Sequence, residues 1–81
     1  MIYSFAPRFL RSYHTFDKAI QKKFDKQLAY LLKNLTHPSL HAKKFDETRG
    51  IWQARVDRSI RFYFLIEHDT YILLDITKHA K

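Results

Sequence analysis

Residues 52–64 read WQARVDRSIRFYF, from Trp52 to Phe64, and the alternation within this stretch decides the fold. Trp52, Ala54 and Val56 fall on one side of an extended chain, and Gln53 and Arg55 on the other. After Asp57, Arg58 and Ser59, the same alternation returns with Ile60, Phe62 and Phe64 against Arg61 and Tyr63. Two runs of period two around a three-residue polar break predict a β-hairpin. If Val56 lies opposite Ile60, Arg55 faces Arg61 and Gln53 faces Tyr63 on the polar side.

A third run, Tyr71–Lys78, continues the pattern. Ile72, Leu74 and Ile76 are expected to join Ile60, Phe62, Phe64 and Ile66 on one apolar face, with Ile66 opposite Ile72. That register sets Thr77 beside Arg61, Asp75 beside Tyr63 and His79 diagonally next to Arg61. Upstream, HAKKF is a short candidate strand, and DETRG is a turn holding the sole glycine.

The first half changes period. Ile2–Phe5 suits a short strand, and Pro7 suits the first turn of a helix to about Tyr13. A second helix is expected from near Phe16, with Ile20, Phe24, Leu28, Leu31, Leu32 and Leu35 on its buried face. Pro38 ends it, because proline disfavours a helical His37. The order is βααββββ, an α+β fold with two N-terminal helices packed on one face of a mostly antiparallel, twisted sheet.

Composition bounds the function. The 81 residues are read as a single domain, residues 1–81, with 46% hydrophobic and 16% aromatic residues, so large rings supply much of the core. No cysteine is present, which excludes disulfides and thiolate zinc sites and fits a reducing compartment. Neither a signal peptide nor an apolar run long enough for a membrane span is visible, so a soluble, cytoplasmic protein is expected. The net charge of +7, from 15 Lys and Arg against 8 Asp and Glu, favours an anionic partner, nucleic acid first; keeping the protein soluble is the plainer account.

Like charges directly opposite in a sheet repel, so an Arg55–Arg61 pair asks for an anion. Asp75 or Asp57 would supply it internally; an RNA phosphate would supply it from outside. In the second case Arg61 and Arg55 stabilise charge, and His79 moves protons, since arginine does not deprotonate in a protein. Tyr63, Arg58, Lys43, Lys44 and Lys78 complete the candidate substrate-binding set, although Lys78 points to the opposite face if its strand is regular. His37 and His41 stand four apart across Pro38, which breaks the helix that would pair them, so no metal site and no cofactor are expected.

The wording LTHPSLHAKKF, GIWQARVDRSIRFYFLI and YILLDITKHAK resembles the RelE/ParE toxin superfamily of toxin–antitoxin systems, over nearly the whole chain. The resemblance implies the RelE-like fold, a cognate antitoxin protein as partner, and ribosome-dependent, metal-independent mRNA cleavage that inhibits translation. It carries the family's basic sheet positions onto Arg55 and Arg61, and a functional basic residue after the last strand onto His79. Two alternatives stay open: a ParE-like inhibitor of DNA gyrase without RNA chemistry, and a non-toxic relative that keeps only antitoxin binding. RelE-like enzymes place a tyrosine beyond this strand, and a sequence to Lys81 offers no counterpart.

Overall fold

In the computed structural model, which describes residues 1–79, the chain forms strand β1 (Ile2–Phe5), helices α1 (Pro7–Tyr13) and α2 (Lys18–Lys33), and strands β2 (Lys43–Asp46), β3 (Ile51–Arg55), β4 (Ile60–Glu67) and β5 (Thr70–Lys78). The order matches the one expected. Pro7 starts α1 at the position where a missing N–H costs nothing. Helix α2 begins two residues after Phe16, because the Asp17 carboxylate accepts the Ile20 amide proton at 3.0 Å and caps the first turn. It stops at Lys33, ahead of Pro38, and a short 3₁₀ turn over Pro38–Leu40 follows. No helix among the described residues is long and apolar enough to cross a membrane.

The strands lie in the order β1-β5-β4-β3-β2; β1 runs parallel to β5, and every other pairing is antiparallel. Phe9 of α1 and Phe24, Leu28 and Leu31 of α2 bury against Ala54, Phe62, Phe64, Leu73 and Ile76 of the sheet. Phe24 stands edge-on to Phe62 at 5.2 Å between ring centroids, an arrangement the ring quadrupoles favour.

Gln27 is also buried, on a helix face otherwise apolar. Its amide nitrogen donates to the carbonyls of Arg55 at 2.8 Å and Ser39 at 3.1 Å, and its oxygen accepts from Ser39 Oγ at 2.7 Å. One side chain thereby ties α2 to the 3₁₀ turn and to the end of β3.

The β3–β4 register is the expected one: Trp52 faces Phe64, Gln53 faces Tyr63, Ala54 faces Phe62 and Arg55 faces Arg61. The β4–β5 register follows expectation for Arg61–Thr77 and Tyr63–Asp75 and then shifts by one residue. Leu74 is left unpaired in a bulge, and a bulge reverses the parity beyond it. Tyr71 and Leu73 are therefore buried in place of Ile72 and Leu74. Ile66 pairs with Tyr71 rather than Ile72, and is 37% exposed near the sheet's end.

Candidate functional site

The β3–β4 turn is built by Asp57. Its Oδ1 accepts the amide protons of Ser59 at 2.8 Å and Ile60 at 3.0 Å, while the Val56 amide donates to the Ile60 carbonyl at 2.8 Å. This closure sets Arg55 and Arg61 directly opposite each other where the hairpin turns. Burial opposes ionisation of Asp57, yet the two amide protons and the Lys23 ammonium, 3.3 Å away, together hold its carboxyl below the usual range.

Arg61 is only 8% exposed. Its Nη1 donates to the Asp57 carbonyl at 2.7 Å and the Ile60 carbonyl at 3.2 Å, which fixes the plane of the guanidinium without neutralising it. Both internal anions are engaged elsewhere. Asp57 pairs with Lys23, and Asp75 accepts from Ser12 Oγ at 2.6 Å and lies 3.1 Å from Arg8 Nε. Among the described residues, no carboxylate forms an ion pair with Arg55 or Arg61. A nearly buried cation with no counter-ion is costly, and an incoming anion relieves that cost.

The two arginines line a cavity of about 400 Å³, together with His41, Lys43, Gln53 and His79. Lys43 pairs with Gln53 across β2 and β3, one row from the arginines. His79 follows β5, and its amide donates to the Ser59 carbonyl, which holds it to the hairpin turn. His41 enters from the 3₁₀ turn, where φ of 47° places it in the left-handed region and turns the chain into β2. His41 is thus a lining residue that the sequence pattern does not single out. His37 instead stacks on Tyr30, with centroids 3.9 Å apart, and its Nδ1 accepts the Ser39 amide proton.

The remaining candidates divide. Tyr63 adjoins the cavity through Gln53, whose Nε2 donates to the Tyr63 hydroxyl at 3.1 Å. Arg58 is exposed in the turn and does not line the cavity. Lys44 pairs with Trp52 and holds its ammonium 5.3 Å from that ring's centroid, so strand alternation turns it away from Lys43. Lys78 lines a different depression, with Phe16, Asp17 and Ile60, as a regular strand requires. Neither Lys44 nor Lys78 shares the cavity with the arginines.

Chemically, the cavity offers two guanidinium groups and an ammonium for a polyanion, and two imidazoles, side chains that can donate or accept a proton. An α+β protein with a basic cavity on the outer face of its sheet is the class that these observations define. The particular fold is one shared with solved structures of YoeB and RelE toxins. A YoeB/ParE toxin from Agrobacterium tumefaciens superposes with a TM-score of 0.82 at 12% identity, over 99% of this chain and 100% of that one. The YoeB dimer from Staphylococcus aureus gives 0.82 at 18% identity, over 99% and 98%. The archaeal RelE–RelB complex from Pyrococcus horikoshii gives 0.81 at 12% identity, over 99% and 96%. No family sequence model and no curated protein matches the chain.

Proposed function

We propose that this chain is the toxin of a type II toxin–antitoxin pair, and that its cavity cleaves mRNA on the ribosome without a metal. The observation that carries the proposal is the Arg55–Arg61 cross-strand pair, which has no carboxylate partner among the described residues. The likeness in fold to YoeB and RelE toxins supports it.

In this reading a phosphate seats against Arg61 and Arg55, whose planar forks match its non-bridging oxygens. The 2′-hydroxyl of the preceding ribose attacks the phosphorus. One imidazole, His79 or His41, takes its proton, and the other protonates the departing 5′-oxygen. The products are a 2′,3′-cyclic phosphate and a free 5′-hydroxyl, so atoms and protons balance. Charge on the phosphorane is met by a fixed guanidinium that needs no reorganisation, and stabilisation of this kind is usually the largest catalytic contribution.

The partner in this reading is an antitoxin protein. The P. horikoshii neighbour is a complex with RelB, and a further S. aureus neighbour is a complex of YoeB with YefM. An acidic or amphipathic segment that covers the basic face would silence this chain. The test is to induce the protein in cells and map mRNA 5′ ends: new ends within translated codons are expected, and they disappear with Arg61→Ala. Intact messages with a DNA-damage response would transfer the protein to the gyrase-directed class.

A further inference from the structure

The outer face of the sheet carries an aromatic pair that the phosphate chemistry does not use. Phe45 is 59% exposed and unpaired, in the β2 bulge between Lys44 and Asp46. Its ring stands 4.9 Å from that of Tyr63 with the planes at 63°, and Tyr63 is held in turn by Gln53. An exposed phenylalanine on an edge strand is a liability, and a bulge gives up ladder pairing. Phe45 does not belong to the packed core, so the core does not account for this placement.

We infer that Phe45 and Tyr63 form a nucleobase-binding subsite beside the phosphate site, a proposal that rests on the RNA-cleaving reading above. The tilted pair makes an L-shaped notch. A base stacking on the open face of one ring brings its edge against the other. Tyr63 is two residues from Arg61 on β4, about 7 Å along the strand, within the reach of one nucleotide. The notch opens on a depression of about 330 Å³ that includes Ile51 and Leu74, so its walls are apolar where a base would lie. The one carboxylate there, Asp75, is engaged by Arg8 and Ser12. Aromatic surface continuous with unneutralised cations suits a chain of alternating bases and phosphates, whereas a peptide would need its own acid at the arginines.

The probe is an RNA trinucleotide with every ribose 2′-O-methylated to block cleavage, compared with the same molecule lacking its central base. Binding to the full chain is followed by NMR titration. The intact trinucleotide is expected to bind about 5- to 150-fold more tightly than the abasic one, the range for one base stacked on an aromatic ring. Phe45→Leu, which keeps the apolar character, should erase this preference without weakening the abasic probe, and Phe45→Trp should keep it. Equal binding of both probes by the unaltered protein overturns the subsite and leaves the phosphate site standing. Binding of neither overturns the subsite on the free protein, while the cleavage reading stands or falls with the mapped mRNA 5′ ends. A Phe45→Leu protein that loses antitoxin affinity but retains the base preference reassigns the ring to the protein partner.

Discussion

Arg8 Nε lies 3.1 Å from Asp75 Oδ2, so α1 captures the acid that faces Tyr63 one row from Arg61. Ser12, one turn further along α1, donates to the same carboxylate. Asp75 is thus a tie between helix and sheet and not the counter-ion of the arginine pair. Asp75→Asn should leave the cleavage rate unchanged while lowering stability by at most about 1.5–3 kcal/mol, the usual worth of a hydrogen bond to a charged group, since the exposed Arg8 adds little. Thermal unfolding and single-turnover cleavage measured together check this. A rate that rises in the variant would return Asp75 to the role of competing anion.

Arg61 should dominate the chemistry. Its removal in Arg61→Ala is expected to cost about 10²-fold or more in rate, as for the loss of one preorganised oxyanion donor. Arg61→Lys keeps the charge and loses the fork, so it should recover only part of the activity. Near-UV circular dichroism establishes that both variants are folded, and equal rates for all three proteins would remove Arg61 from the site.

Gln27 is the hidden support of the cavity. Gln27→Leu leaves the carbonyls of Arg55 and Ser39 without their donor, at about 1–3 kcal/mol for each group left unpaired. In a domain of this size each kcal/mol lowers Tm by about 4–8 °C. Because the 3₁₀ turn delivers His41, cleavage should fall as well, below the temperature at which the variant melts. An unaltered melting curve would show that water replaces the amide without loss.

Asp57 predicts an acid limb. Its carboxyl is held down in the folded protein, so its contribution to stability is complete above the unfolded value of about 3.9 and is lost as pH falls through the lower, folded value. Urea unfolding followed from neutral pH downwards should show stability falling in that window. Asp57→Asn should be less stable than the parent at neutral pH and should flatten the limb. A limb of the same slope in both proteins would place the titrating group elsewhere.

Strand parity carried much of the fold and the centre of the site. Val56 opposite Ile60 was enough to pair Arg55 with Arg61 and Gln53 with Tyr63, because a half-buried hairpin tolerates no slip of one residue. Period alone could not reveal the bulge at Leu74, since Ile72, Leu73 and Leu74 are all apolar and either parity buries a large side chain. Gln27 is polar at a buried position, and only its three hydrogen bonds to Ser39 and Arg55, on distant segments, explain it. His41 reaches the cavity through a left-handed backbone conformation, for which a histidine in sequence carries little signal. The acid that Arg8 captures belongs to the far end of the chain, and long-range side-chain pairing of this kind leaves no periodic trace.

The parallel pairing of β1 with β5 has a consequence for synthesis. Ile2 aligns with Thr70, so the first strand to leave the ribosome waits for the last before it finds its neighbour. Closing so long a loop costs conformational entropy before any contact offsets it, which favours late docking of β1. Thr77, which faces Arg61, lies on β5, and His79, which lines the cavity, directly follows it. A nascent chain therefore holds both arginines, on β3 and β4, before β5 completes the cavity around them.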